Sequence, residues 1–250
     1  MKKYIKVFHS RERFNNEKYY YNIFRKNGFK LVPRISINTY KKKIEYLYID
    51  GNIPNIVDTY IIVDYLVFFY SKRYQIISMC NEEEYKIEYI NTMEFVLKKF
   101  NLNSEIIKKI KRILTNKYRV SIFKDSKLDN WIKTIDNEII MIDFDYVVPS
   151  FFLQDFAQYF TSLELKSTSL SISYCNDSLQ YFLLKLNISI NEKDFFEYKI
   201  LFISACLMSN LKKIEYNILE YNIDNINELN KKYLDLLKKE LGSKNEYYRS

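Results

Sequence analysis

The chain has 250 residues, 48% of them hydrophobic, enough to bury a real core in one large domain or two small lobes. Three glycines and three prolines leave no flexible linker or low-complexity tract, and a single histidine, His9, argues against chemistry that needs a histidine base or several histidine metal ligands. The net charge of +8 is uneven: from Ser150 onward 12 basic residues meet 13 acidic ones, so the excess sits in the first 149 residues, either as a solvated lysine-rich surface or as an attractant for phosphates, nucleic acid or an anionic membrane.

Residues 4–8 alternate as a strand does, with Ile5 and Val7 on one face and Tyr4, Lys6 and Phe8 on the other. Residues 13–26 read as a helix, with Phe14, Tyr20, Tyr21 and Phe24 near helical spacing and Gly28 ending it. Residues 31–37 and 44–49 form an expected strand pair, closed by Asp50-Gly51. The pattern then turns helical. Residues 56–70 predict one apolar, buried helix, and residues 82–100 a second. Residues 104–114 predict a third, capped by Ser104, with Ile106, Ile107, Ile110, Ile113 and Leu114 on one stripe. Two short strands, 119–123 and 138–142, follow and are expected to pair as a hairpin. Helices over 151–163, 179–186, 194–213 and 226–241 complete the chain, and no internal repeat is visible. Gly51 and Pro54 place a boundary between Asp50 and Asn55.

The start, Met1-Lys2-Lys3-Tyr4-Ile5-Lys6, is basic, but the apolar stretch of a secretory signal does not follow it. The most apolar stretch, 59–70, contains Asp64 and is too short to span a bilayer, so no transmembrane segment is expected. Cys80, Cys175 and Cys206 are scattered without a CxxC, which disfavours a zinc site or a disulfide framework and fits a reducing, cytoplasmic setting. The lysines are dispersed and carry no recognition motif, so a nucleic-acid partner is not expected.

The strand ends carry the chemistry. Phe123-Lys124-Asp125-Ser126-Lys127-Leu128-Asp129-Asn130 and Ile142-Asp143-Phe144-Asp145 place an acid, an amide and two further carboxylates in two linked segments. Phosphoryl transfer needs such a set: one Asp to orient or deprotonate the attacking hydroxyl, an Asn and another Asp to hold magnesium against the phosphates.

On these residues the chain resembles the protein-kinase-like superfamily, in the branch of aminoglycoside phosphotransferases and choline kinases. The resemblance spans residues 4–160 and is strongest over 119–160. The family pattern H-G-D-x-x-x-x-N lines up with Phe123-Lys124-Asp125 and Asn130, I-D-F-D with Ile142-Asp143-Phe144-Asp145, and D-L-A with Asp155-Phe156-Ala157. It implies an α+β, bilobal fold: a small, truncated β-rich N-lobe with one helix, residues 1–52, and a larger, mainly helical C-lobe, residues 53–250. It implies Asp125 as catalytic base and Lys127 as a cation on the transferring group, where Ser/Thr protein kinases carry a Lys and the aminoglycoside branch more often has His. Asn130 and Asp143 would bind Mg2+, and Asp145 would add a second metal contact or a hydrogen bond. Asp155 would brace the catalytic loop. Lys6 and Glu17 would be the ion pair on the nucleotide's α/β-phosphates. Tyr46, Tyr48 and their neighbours to Ile49 would form the hinge whose backbone reads the base of ATP or GTP.

Two departures stand out. Phe123 replaces the family's largely structural His. Only three residues precede the Lys6 strand, so the first hairpin, which covers the phosphates in the family, is expected to be missing. The sequence thus implies a kinase that moves the γ-phosphate to a hydroxyl of a sugar, amino alcohol or aminoglycoside-like molecule. A protein kinase remains open, as does a degenerate kinase-like scaffold, and a protein partner would complete the N-lobe.

Overall fold

In the computed structural model the described residues are 2–77, 80–166, 171–216 and 221–243, with the side chains of 123, 124 and 243 set aside. The chain opens with strand β1 (Lys3–Val7) and helix α1 (Arg11–Lys26), followed by β2 (Arg34–Asn38) and β3 (Lys43–Leu47). These strands form one antiparallel sheet in the order β1-β3-β2, with Lys6 opposite Ile44 and Tyr4 opposite Tyr46. Alternation puts Phe8 and Lys6 toward α1 and leaves Ile5 and Val7 outward. Ser10 caps α1 by accepting from Arg13 N. Gly28, at φ 86°, ends it: Gly28 N donates to Arg25 O and Phe29 N to Phe24 O, the paired bonds of a left-handed helix stop. β2 begins three residues later than the sequence suggested. Pro33 precedes it, and its carbonyl accepts from Leu47 N, while Leu31 instead bridges in parallel to Met141.

β4 (Gly51–Asn52) leads to a 3-10 turn (Ile56–Asp58), then α2 (Thr59–Ser71) and the short α3 (Arg73–Ile76). The expected single helix over 56–70 is therefore divided: Asn55 and Asp58 form a reciprocal capping box around the turn. It is also not buried all round, since Val57, Tyr60, Ile61 and Asp64 are exposed. α4 (Glu82–Lys99) and α5 (Ser104–Lys117) match the periodic pattern. The cap of α5 is Asn103, not Ser104. Its side chain accepts from Ile106 N at 2.8 Å, and Ser104 is the first helical residue.

The expected hairpin of residues 119–123 with 138–142 does not form. β5 (Val120–Lys124) pairs antiparallel with β8 (Val147–Phe151). β6 (Trp131–Thr134) and β7 (Ile139–Met141) make their own hairpin, and β4 adds to its edge. Asn137 turns that hairpin at φ 60°. Both chemically loaded segments survive as linkers: Asp125–Asn130 joins β5 to β6, and Ile142–Asp145 lies between β7 and β8.

α6 (Phe152–Lys166), α7 (Ile172–Lys185), α8 (Glu192–Glu215) and α9 (Ile223–Ser243) follow. α7 starts well before the expected residue 179 because Ser171 caps it through Tyr174 N. α6 and the middle of α8, from Ile200 to Asn210, are buried and form the centre of the core. Phe156 stacks on Phe182 at 4.8 Å and packs on Phe160 and Phe202. No described helix is long and apolar enough to cross a membrane.

Candidate active site

Three carboxylates from two segments converge on Lys6. Its ammonium lies 3.0 Å from Glu17 Oε2, 2.7 Å from Asp143 Oδ1 and 3.6 Å from Asp145 Oδ2. Burial alone would lower its affinity for a proton. The Glu17, Asp143 and Asp145 carboxylates outweigh burial and hold the ammonium well above its ordinary value, so it stays charged. Glu17 is fully enclosed. Besides Lys6 it accepts from Tyr46 Oη at 2.6 Å and from Phe144 N at 2.8 Å. Burial and the Glu17 charge push the Tyr46 phenol up, so it serves as a donor.

Asp143 has φ 69°, a left-handed conformation that costs an L-residue about 1–2 kcal/mol. Its flanking amides are pinned: Ile142 N donates to Asn130 O at 2.9 Å, and Phe144 N to Glu17. The first of these bonds sets Asp143 beside Asn130. Burial, then the neighbouring Asp143 charge, pushes the Asp145 carboxyl up to about 6, with Lys6 opposing both.

Asp125 is held at both oxygens. Gln158 Nε2 donates to Oδ1, and Asn130 Nδ2 lies 3.3 Å from Oδ2 and 2.5 Å from the Asp125 carbonyl. Lys127 Nζ is 3.7 Å from Oδ2. The loop is fixed from below by α6. Ser126 Oγ donates to Asp155 O at 2.7 Å and lies 3.3 Å from its Oδ1, and Leu128 N donates to Ser162 Oγ at 2.8 Å. Asp155 thus stands where a brace was expected. Phe123 occupies β5, but its side chain lies outside the described residues.

Between the sheet and these loops is a cavity of about 230 Å³. Lys6, Glu17, Tyr46, Leu47, Tyr48, Ile49 and Asp143 all line it, with Val32, Met141 and Ile142 as apolar walls. Tyr46 differs from its expected role in one respect: its ring is buried and its hydroxyl positions Glu17. Tyr48 is partly exposed, and its backbone N–H bonds to Lys2 O at 3.1 Å.

Among the described residues no group of three or more His, Cys, Asp or Glu is arranged as a metal site. Two carboxylates and an amide oxygen are nevertheless the hard donors that magnesium accepts. The crowding of Asp143 and Asp145 is the kind of repulsion that a divalent cation relieves.

Of the residues expected from the sequence, Lys6, Glu17, Tyr46, Tyr48 and Asp143 line the cavity; Asp145 meets it through Lys6, and Asn130, which Asp125 and Lys127 adjoin, is tied to it by the Ile142 N–Asn130 O bond. Sequence reasoning missed Gln158 and the Tyr46 hydroxyl. Each acts through a single tertiary contact, and neither sits in a spacing that marks it.

No protein-family model and no curated protein matches the chain. Solved structures do. Choline kinase LicA from Streptococcus pneumoniae superposes with TM-score 0.56 at 12% identity, covering 95% of this chain and 86% of that one. A choline/ethanolamine kinase family protein from Mesorhizobium loti gives 0.59 at 9% identity, covering 96% and 83%. Aminoglycoside phosphotransferase APH(3'')-Id from Streptomyces rimosus, solved with ADP and streptomycin, gives 0.51 at 8% identity, covering 83% and 86%. The chain therefore has the kinase-like fold of these structures, with a small β-rich part and a larger helical part.

Proposed function

We propose that the protein is a phosphotransferase that uses ATP or GTP with Mg2+ to phosphorylate a hydroxyl of a small molecule: a sugar, an amino alcohol or an aminoglycoside-like compound. Residues 1–52 would form the nucleotide-binding lobe and residues 53–250 the catalytic lobe, in a cytoplasmic setting consistent with three free cysteines. The observation that carries this reading is the convergence of Lys6, Glu17, Asp143 and Asp145 at the mouth of an apolar-walled cleft, with Lys6 and Asp143 137 residues apart in the chain. A half-buried cation shared by three carboxylates costs stability, and perturbed charge clusters of this kind gather at functional sites.

In this reading the base of the nucleotide enters between Val32, Met141 and the backbone of residues 46–49. Lys6 takes the α/β-phosphates, which compete with Asp143 and Asp145 for its ammonium, and Glu17, steadied by Tyr46, keeps it in place. Asn130, Asp143 and Asp145 would hold magnesium, which supplies charge neutralisation on the phosphates when bound. Asp125, fixed by Gln158 and Asn130, orients the acceptor hydroxyl and takes its proton. Lys127 offsets charge on the group in transfer.

The test is thermal stability with MgATP. Wild type should be protected and Asp143→Ala should lose most of the shift. No response from wild type would remove the nucleotide from the account. A second reading, a kinase-like binding or scaffold protein without activity, draws on the sheet edge. β1 is an edge strand, and Ile5 and Val7 on it are 47% and 60% exposed, a surface that a partner's strand would cover. Protection by MgATP without any phosphoryl transfer would favour it.

A further inference from the structure

α6 is buried along most of its length, yet one stripe of it is polar. Asp155, Gln158 and Ser162 are spaced three and four residues apart, so they share one face. Each meets a successive point of the loop that follows β5. Ser126 Oγ donates to Asp155 O at 2.7 Å, Gln158 Nε2 donates to Asp125 Oδ1, and Leu128 N donates to Ser162 Oγ at 2.8 Å. The first and last contacts hold the loop. Gln158 alone of the three touches the Asp125 carboxylate.

The Gln158 amide has one workable orientation. Turned over, its Oε1 would face the Asp125 carboxylate, acceptor against acceptor. In the orientation found, Oε1 is enclosed and meets no hydrogen-bond donor among the described residues, an arrangement that costs stability. Methionine, of similar length and without the amide, would fill the same space without that cost. Packing therefore does not explain a glutamine here, and Asp125 does. The other carboxylate oxygen is held more loosely. Asp125 Oδ2 has Asn130 Nδ2 at 3.3 Å and Lys127 Nζ at 3.7 Å, both longer than the contact a reacting hydroxyl makes.

We infer that Gln158 is a positioning residue for phosphoryl transfer: by occupying Oδ1 it fixes the Asp125 carboxylate and assigns the acceptor's proton to Oδ2, on the side of Asn130 and Lys127. This rests on the phosphotransferase reading and deepens it by naming the atom that takes the proton and the residue that selects it. In the step, the acceptor oxygen bonds to the γ-phosphorus as its O–H bond breaks and the proton passes to Oδ2. The bond from the γ-phosphorus to the bridging oxygen breaks, and the nucleoside diphosphate leaves with that electron pair. Without the Gln158 amide the carboxylate is free to turn, and a misplacement of about 1 Å at a reacting group costs on the order of a hundredfold in rate.

The test is ATP γ-phosphate transfer or hydrolysis with magnesium, followed from about pH 5 to 9 in wild type, Gln158→Met and Gln158→Glu. Gln158→Met should lower kcat about 10- to 100-fold, with KM for MgATP and the urea midpoint close to wild type. Gln158→Glu should move the acid limb of the kcat profile to higher pH, because two carboxylates in contact do not both stay charged. The groups that Asp125 acts on electrostatically are Lys127 beside it, Tyr146 after β7 and Lys213 of α8. All three are unchanged in both variants, so a moved limb reports on position 158. A residue that only packs would behave in the opposite way: Gln158→Met would lower the urea midpoint and leave kcat per folded molecule and the pH profile as they are. Thermal protection by MgATP shows that each variant folds. Wild-type kcat in Gln158→Met, or an unmoved limb in Gln158→Glu, would overturn the proposal while an active wild type and an inactive Asp125→Asn keep the phosphotransferase reading. A wild type protected by MgATP but without turnover would remove both.

Discussion

Lys6, half-buried, and Lys213, fully buried, are cations handled in opposite ways. Lys6 is surrounded by Glu17, Asp143 and Asp145, while Lys213 has hydroxyl and amide partners. Lys6→Met would leave Glu17 enclosed and Asp143 facing Asp145 uncompensated. We expect a loss of about 3 kcal/mol in urea unfolding, partly restored by millimolar Mg2+, and no restoration in a Lys6→Met/Asp143→Ala double variant. Lys213 predicts a pH effect. Its folded value of about 7 lies below the ordinary 10.5, so between the two the unfolded chain binds more protons and stability rises with pH. The slope is at most about 1.4 kcal/mol per pH unit. Lys213→Met should therefore be more stable than wild type at neutral pH, with a gap that closes toward pH 9 to 10. A gap independent of pH would mean that Lys213 is not the group titrating. The Lys6–Glu17 pair was legible from strand-then-helix order, and Asp125 to Asn130 from spacing. The Gln158 and Tyr46 contacts were not, because side-chain meetings across 33 and 29 residues leave no periodic trace.

Among the elements, helices were read well and strands poorly, for physical reasons. Helices announce themselves through local periodicity, as in the apolar stripe of α5, while the Ser171 cap, a signal of a single residue, went unread and α7 begins earlier than expected. With only three glycines, asparagine does the work of ending them, and Asn101 and Asn187 adopt φ 55° just past α4 and α7. Strand pairing is non-local. β5 chose β8, a short run containing Pro149, over the nearer β7, and no feature of 119–123 specifies which partner it takes. The core is where the helices meet, so Phe156→Ala should cost about 3–5 kcal/mol in urea unfolding. The exposed Phe95→Ala should stay within about 1 kcal/mol. Equal costs would mean that the α6–α8 packing is not the centre of stability.

For the whole molecule, the sequence expectation of a kinase-like fold holds in the described residues: a three-stranded sheet with one helix stands over a helical body, and the cavity beside the sheet is lined by Lys6, Glu17, Tyr46, Tyr48 and Asp143. What was less legible is the way the parts are joined, since β4 leaves the first sheet to extend the β6–β7 hairpin that positions Asn130 and Asp143. The charge asymmetry is consistent with this arrangement, as the basic excess lies in the portion that would meet the nucleotide's phosphates. The most direct test is transfer or hydrolysis of the ATP γ-phosphate, measured for wild type and Asp125→Asn with magnesium present. The account predicts activity in wild type and a loss of about 10²–10⁴-fold in Asp125→Asn, with its MgATP thermal shift retained. Activity that survives the substitution, or a wild type that binds MgATP and never turns it over, would contradict it.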